Sequence, residues 1–437
     1  FWDIPQYPSN FRIINERRSF HMKLFVGLDV SSEKLDACFM TDDSTCSVLK
    51  EASYGNSQLG ASQIKEYILE FSQKFEIESL VIGMEATSLY SFHPAMFFKE
   101  DLELNQLNLM VSVEQPNKIK KYRDIFEENK NDQIDAFYIA DYFRIQRQVN
   151  SIIKEEEYLA LQHLTRTRYQ LIKQLVRTKQ HFIENIYYKC NTLSKELKAE
   201  GGSVLSATLV TLMTEDYTMD QLAELSLEEF ANLIQKLGKY RFKNPEGIAK
   251  AISKAIRSSY RLGKVHQDSV DIVLGVLAKE IRSLEKLIKD LDKAIDDLVV
   301  VLPEYQCLTS IPGIGPVYAA GILAEIGPIN RFSDESKLAK YAGLYWRQNQ
   351  SGNSEYENTP MAKRGNRYLR YYLVEATNSV RRYEPEYHAY YKKKYAETPK
   401  HKHKRAIVLT ARKFTRLVDT LLRNHQLYMP PRSVIDK

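Results

Sequence analysis

Lys23-Leu-Phe-Val-Gly-Leu-Asp-Val-Ser-Ser-Glu-Lys-Leu-Asp36 decides how the rest of the chain is read. Leu24 to Val30 is an apolar run rich in β-branched and aromatic residues, the composition of a buried strand. Asp29 stands in it where a core strand would carry another hydrophobe. Cys38-Phe39-Met40 is a second apolar run, followed by the polar Thr41-Asp42-Asp43-Ser44, so the chain is expected to return as a hairpin. A carboxylate inside a hydrophobic strand costs free energy unless it is paired or binds a metal. A strand-end Asp that caps a turn is the competing explanation, and on Asp29 alone the two stand level.

Two later stretches bear on that choice. Ser57–Phe75 has helical spacing, and Glu78-Ser-Leu-Val-Ile-Gly-Met-Glu-Ala-Thr-Ser88 follows as a strand over Leu80–Met84 that ends on Glu85. Leu107–Val113 is a third strand-like run before Pro116. Asn129–Gln146 reads as a helix opening Asn131-Asp-Gln-Ile-Asp-Ala136. Asp132 and Asp135 stand three apart and share one helix face, with Ala136, Ile139 and Ala140 as an apolar flank for packing on a sheet. The four acids converge if the strands are neighbours and the helix lies across them. Hard cations such as Mg²⁺ take oxygen ligands. Two Mg²⁺ ions roughly 4 Å apart can activate a nucleophile and stabilise a leaving oxygen in phosphoryl transfer. Solvated first-turn acids favoured by the helix dipole explain Asp132 or Asp135 alone, but not the whole set.

Gly27-Leu-Asp-Val-Ser31, Gly83-Met-Glu-Ala-Thr87 and Asn131-Asp-Gln-Ile-Asp-Ala136 resemble the DEDD transposase domain of a bacterial insertion-sequence family. That family includes bridge-RNA-guided recombinases and the pilin-gene DNA invertase. The resemblance implies an α/β, ribonuclease H-like (RuvC-like) domain, similar to Holliday-junction resolvases. It assigns the four metal-binding catalytic acids to Asp29, Glu85, Asp132 and Asp135.

The chain has 437 residues, 43% of them hydrophobic, enough for two or three domains with sizeable cores. No apolar run approaches the length of a membrane span. Phe1-Trp2-Asp3-Ile4 starts no signal-peptide pattern, and Met22 immediately precedes the first strand. Residues 1–22 are therefore expected to be an extension, untranslated in the cell. Cys38, Cys46, Cys190 and Cys307 lack metal-ligand spacing and fit a reduced, cytoplasmic protein. The net charge is +6, but Met361–His425 holds 17 Lys and Arg against 5 Asp and Glu, or +12, which leaves −6 for the remainder. A polyanion-binding surface near the C-terminus follows.

Tyr158–Lys198 is a long helical stretch carrying Arg166, Arg168, Lys173 and Arg177, and residues 200–265 carry no chemistry that can be assigned. Val270, Leu274, Leu277, Ile281, Leu284, Ile288, Leu291, Ile295 and Leu298 alternate steps of four and three, the seam of a coiled coil. Pro303 ends it. The seam has two candidate partners, the 158–198 helix and another subunit. Leu308-Thr-Ser-Ile-Pro-Gly-Ile-Gly-Pro-Val-Tyr-Ala-Ala320 has the pattern of a helix-hairpin-helix. Gly313 and Gly315 permit a tight turn, and the helix N-terminus after it can hold a phosphate. An ordinary helix connection remains the alternative.

Leu338-Ala-Lys-Tyr-Ala-Gly-Leu344, Gln348-Asn-Gln-Ser-Gly-Asn353 and Lys363-Arg-Gly-Asn-Arg-Tyr-Leu-Arg370 resemble the second, serine-bearing domain of the same family. Tyr345-Trp346 departs from the proline-containing turn common there. The resemblance assigns a nucleophile to Ser351, beside Gly352, with Ser354 as its rival. A serine hydroxyl is weak until a neighbouring base or cation activates it. Lys363, Arg364, Arg367 and Arg370 could neutralise a transferring phosphoryl group and its flanking phosphates. Tyr368, Tyr371, Tyr372, Tyr383, Tyr387, Tyr390, Tyr391 and Tyr395 lie among basic residues. They are equally well read as base-stacking platforms or as core.

The expected organisation is an extension at 1–22, a DEDD domain at 23–150, a helical coiled-coil linker with an insertion at 151–302, and a mainly helical serine-bearing domain with a basic tail at 303–437. The resemblance implies an insertion-sequence transposase, a DNA recombinase that forms a 5′-phosphoserine link and uses two Mg²⁺ ions. It further implies donor and target DNA, a structured noncoding guide RNA, and a homodimer pairing to a tetramer, acting at the bacterial nucleoid with no membrane. A junction-resolving nuclease using the four acids alone, and a non-enzymatic DNA-bridging protein, are the rival readings.

Overall fold

The opening strand becomes the middle of a five-stranded sheet. In this computed structural model, residues 22–42, 45, 47–86, 89–126, 132–146, 156–214, 217–346, 350–351, 354–355, 361–362 and 364–430 are described. Contacts divide the chain into two units, Phe1–Ile153 and Lys154–Lys437.

In the first unit, β1 (Met22–Val30), β2 (Lys34–Thr41) and β3 (Val48–Gly55) form an antiparallel meander. The chain then passes through α1 (Gln58–Phe75), β4 (Ile77–Glu85), α2 (Phe92–Glu100), β5 (Met110–Glu114), α3 (Pro116–Arg123) and α4 (Asp132–Ile145). The strand order is β3-β2-β1-β4-β5, with β4 and β5 parallel to β1. This mixed sheet is consistent with the ribonuclease H-like expectation. The expected hairpin is β1–β2. The third strand begins later than Leu107, because Leu104–Leu107 closes into a 3₁₀ turn before β5. β3, which the apolar runs do not announce, adds an edge strand of alternating, half-covered residues.

Alternation along each strand separates two faces. Leu24, Val26 and Leu28 of β1 join Leu80 and Ile82 of β4 in a core closed by Ile64 and Ile68 of α1 and Phe98 of α2. Phe25, Gly27 and Asp29 alternate onto the other face, where Phe25 and Val81 pack with Ile119 of α3 and with Ile139 and Phe143 of α4. Gly27 and Gly83 are partners across β1 and β4. A Cβ at 27 would run into the Ala136 carbonyl oxygen and the Ala140 nitrogen, and one at 83 into the Phe143 ring. α4 therefore rests directly on sheet backbone, an approach that only glycine admits.

The second unit is helical: α5 (Glu156–Lys189), α6 (Leu193–Ala199), α7 (Ala207–Thr214), α8 (Met219–Glu224), α9 (Leu227–Leu237), α10 (Pro245–Ser258), α11 (Lys264–Val299), α12 (Tyr305–Thr309), α13 (Pro316–Ile326) and α14 (Glu335–Ala342). Two-residue strands β6 (Gln350–Ser351) and β7 (Ser354–Glu355) pair next. α15 (Arg367–Tyr383), α16 (Pro385–Glu397) and α17 (Lys402–Asn424) complete it. α5 and α11 run antiparallel, bridged by Arg168–Asp292, Lys179–Glu285 and Lys189–Asp271. The seam from Val270 to Ile288 is buried with Leu175, Phe182 and Ile186 of α5, so its cover lies within this chain. Residues 200–265 add α7–α10 to that same core. Capping boxes at Thr218 and Ser226 start two of these helices. α13 is apolar but for Glu325 and sits in the core of the other end, with α5 and α15 against it.

Candidate functional site

The strand-end acids are set by the same alternation that admits α4. Asp29 lies two residues beyond Gly27, and Glu85 two beyond Gly83, so each shares a sheet face with its glycine. Leu28 and Met84 are partners, which brings the two acids to adjacent strand ends. Glu85 is in turn in register with Glu114 at the end of β5. Asp132 opens α4, although its side chain falls outside the described residues. Asp135, one turn on, is ion-paired with Arg123 at the end of α3. That pairing is the main cause raising the Arg123 guanidinium's proton affinity. Asp141 binds α4 to α3 a second time, accepting from the Tyr122 hydroxyl at 2.5 Å and from Arg144 Nε at 2.8 Å.

Glu114 is the acid the sequence reading passed over. It is buried, takes the Gln115 amide at 2.8 Å and the Lys118 ammonium at 2.8 Å, and lies 3.4 Å from the Tyr142 hydroxyl of α4. Its signal was the same as for Asp29 and Glu85: an apolar run, Met110-Val-Ser-Val, ending on a carboxylate. Asp29, Glu85, Glu114 and Asp135 all offer carboxylate oxygens, the ligand type of a hard divalent cation. Among the described residues, no three His, Cys, Asp or Glu side chains stand together as a metal ion would hold them.

The second set lies in the helical unit. Ser351 ends β6 and pairs with Ser354 of β7. Its side chain, Gly352 and Lys363 fall outside the described residues. Arg364 and Arg367 are exposed. Arg370 is half-buried and donates to the Ala342 carbonyl at 3.1 Å, and burial lowers its proton affinity. Gly313 has φ +93°, and an added Cβ would meet the Tyr383 ring at 2.8 Å, so the turn between α12 and α13 is tied to α15. Gly315 caps α13, with no atom within 4 Å of an added Cβ. The tyrosines divide. Tyr372 and Tyr387 are core, with the Tyr372 hydroxyl donating to the Thr165 carbonyl at 2.7 Å, whereas Tyr383 and Tyr395 are exposed.

A further buried acid, Glu325, sits in the apolar helix α13 and is fully covered. Arg166 of α5 donates to it from Nε at 2.7 Å and Nη2 at 2.9 Å, Gln162 at 3.1 Å and Asn366 at 2.6 Å. The lone charge inside Ala319–Ile326 was its sequence signal.

Two family profiles match this chain. The profile described as "Transposase IS116/IS110/IS902 family" matches residues 305–392, and a transposase profile of the IS110 DEDD type matches residues 26–186. The chain is 27% identical over 307 residues to the insertion element IS116 44.8 kDa protein of Streptomyces clavuligerus, covering 69% of this chain and 73% of that one. It is 26% identical over 305 residues to the IS900 42 kDa protein of Mycobacterium paratuberculosis, covering 69% and 74%. Against the IS1111A transposase of Coxiella burnetii it is 31% identical over 111 residues, 25% of this chain and 30% of that one. With a DEDD-type sheet domain followed by the second transposase region in one chain, the protein belongs to the IS110 family of insertion-sequence transposases.

Proposed function

We propose that this transposase cuts and rejoins DNA with two groups of its own residues, the carboxylates Asp29, Glu85, Asp132 and Asp135 and the hydroxyl of Ser351. The observation that carries the first group is the seating of α4 on Gly27 and Gly83. It brings the helix bearing Asp132 and Asp135 onto the face where Asp29 and Glu85 end their strands. Those four acids would hold Mg²⁺, two ions in the full reading, which when bound polarises a phosphate oxygen and lowers the pKa of a ligated hydroxyl or water. Glu114 lies beside Glu85 and anchors Lys118, and Arg123 holds Asp135 in place between turnovers.

Ser351 rests on its position within the 305–392 match and on the Ser-Gly motif. In the cleavage step the Ser351 oxygen forms a bond to a DNA phosphorus. The bond from that phosphorus to the 3′ oxygen breaks, and a 5′-phosphoserine remains. The serine proton passes to a base, and the 3′ oxygen takes up a proton to leave as a hydroxyl. Reversal on a second DNA end rejoins the strand. Lys363, Arg364, Arg367 and Arg370 neutralise the phosphates around that step, and Gly313 and Gly315 present the α13 N-terminus to the DNA backbone. A structured noncoding RNA choosing donor and target, a dimer that pairs to a tetramer, and action in the bacterial cytoplasm complete the reading and come from the family resemblance alone.

The deciding experiment is recombination in cells between a donor and a target, with the element's flanking noncoding DNA supplied. Wild type is compared with Ser351→Ala and Asp132→Asn. Loss in both variants, with a protein–DNA adduct trapped only when Ser351 is present, supports the composite chemistry. Recombination by Ser351→Ala removes the serine and leaves a nuclease working with the acids alone.

A further inference from the structure

We infer that Arg166, Arg367 and Tyr368 form a binding site for a nucleic-acid phosphodiester, held in shape by the buried carboxylate of Glu325. The inference rests on the reading that this chain handles nucleic acid and adds a site at α5, a helix to which no role was given. Glu325 is completely buried and takes hydrogen bonds from residues of two other segments. A carboxylate in such a place persists only when its partners satisfy it.

Two consequences follow from that arrangement. Arg166 turns its Nε and Nη2 edge to Glu325, yet its side chain keeps 39% of its surface in solvent. Asn366 uses its amide nitrogen on Glu325 and its amide oxygen to cap α15, accepting from the Tyr368 and Leu369 nitrogens at 2.9 and 3.0 Å. Gly365 before it has φ +127° and passes so close to the Tyr341 carbonyl that a Cβ would meet it at 2.5 Å. One buried charge therefore fixes both Arg166 and the first residues of α15.

Those first residues are Arg367 and Tyr368. The Arg166 and Arg367 guanidiniums stand over the Tyr368 ring at 4.6 and 4.8 Å from its centre. The Tyr368 hydroxyl accepts from Arg367 Nη2 at 2.8 Å and from Gln170 at 3.3 Å. Glu325 balances the charge of Arg166, so the two guanidiniums and that carboxylate together carry one net positive charge, which an anion at their solvent edge balances. Guanidinium forks match phosphate oxygens in pairs. A ring already covered by two cations does not offer its face to a base, so the ligand feature is the backbone phosphate, common to DNA and RNA.

The test uses the full chain and fluorescence anisotropy with two probes, a labelled duplex DNA and a labelled RNA hairpin, across a salt series. Arg367→Gln, an exposed position, lowers the slope of log affinity against log salt by about 0.9 on duplex DNA for one lost phosphate contact. Arg166→Lys keeps the charge and loses the fork, weakening binding by about tenfold. The double variant falls short of the product of the two effects, because both residues serve one phosphate. Glu325→Gln breaks a buried ion pair and lowers the melting temperature; read at a temperature where that variant is still folded, binding falls as well, and unchanged binding there overturns the part given to Glu325. An effect on one probe alone assigns the site to that nucleic acid, and an effect on both assigns it to the shared backbone. Unchanged slope and affinity in Arg367→Gln and Arg166→Lys overturn the inference and remove Arg367 from the phosphate contacts proposed above, while leaving the four acids and Ser351 standing. Failure of wild type to bind either probe overturns both.

Discussion

Gly27→Ala adds one methyl group and tests the seating of α4 on the strand that ends in Asp29. The new Cβ would lie 2.2 Å from the Ala136 carbonyl oxygen and 2.4 Å from the Ala140 nitrogen, both backbone atoms of α4. Ordinary contact begins near 3.4 Å, so α4 must rise from β1 by roughly 1 Å, since neither strand nor helix can turn a backbone atom aside. Overpacking of this kind costs about 1–3 kcal/mol, which a domain of ordinary stability, about 5–15 kcal/mol, survives folded. A displacement of about 1 Å at reacting groups costs on the order of 100-fold in rate. The assay is Mg²⁺-dependent DNA strand cleavage normalised to folded protein, read beside a urea melt. Gly263→Ala is the control, because no atom lies within 4 Å of its added Cβ. A Gly27→Ala protein that cleaves at the wild-type rate with an unshifted urea midpoint would refute the seating of α4 on β1 and, with it, the grouping of Asp132 and Asp135 with the strand acids.

Other perturbations have simpler outcomes. Gly275 lies inside α11 with open space around its added Cβ, so Gly275→Ala should raise stability by about 1 kcal/mol in a urea melt. Tyr372→Phe deletes a buried hydrogen bond to the Thr165 carbonyl and should lower stability by about 1 kcal/mol, measured in the same way. Burial is the main cause pushing the Cys38 thiol up to about 12. Iodoacetamide at pH 8 should therefore leave Cys38 unlabelled in the native chain and label it in urea. The same shift favours the neutral thiol in the folded state, so its contribution is intact below about pH 9 and is lost between there and about pH 12. The Arg412 guanidinium, 2.5 Å from Glu335, is the first cause holding that carboxyl below its ordinary value. Its contribution is present above the ordinary carboxylate range and is lost as the pH falls through the depressed value, so Arg412→Gln should flatten the acid limb of a melting-temperature profile.

What the sequence made legible was whatever depends on local periodicity. The β1–β2 hairpin, the strand ending on Glu85 and the helix carrying Asp135 follow from apolar runs of two- and four-residue spacing. β3 was missed because an edge strand buries little and its Lys50, Glu51 and Ser53 look like loop. Burial of the 270–288 seam against α5 was undecidable from the pattern, since a heptad repeat specifies an apolar face and not which helix covers it. The Arg166–Glu325–Asn366 cluster joins positions 159 and 41 residues apart, a pairing no local pattern encodes. Ser351 was legible only as a family motif, because a serine hydroxyl has no periodic signature of its own.

The two acid-bearing strands share a shorter pattern than either full motif. Gly27-Leu28-Asp29 and Gly83-Met84-Glu85 each place a glycine two residues before the acid. Two residues is the strand repeat, so glycine and acid must face the same side. The apolar residue between them must face the other side, where Leu28 and Met84 are indeed fully buried. The glycine lets a helix touch the sheet, and the acid stands one pleat further along the same face. On β5 the corresponding triplet is Ser112-Val113-Glu114, with a serine in the glycine's place, and Glu114 turns to Lys118 of α3. Gly27 is thus where the α4 backbone comes down on the sheet, and Gly83 where its Phe143 ring does, because only a residue without a Cβ at that pleat leaves the room, while Glu114, with no such glycine, reaches α3 through Lys118 and α4 through the Tyr142 hydroxyl.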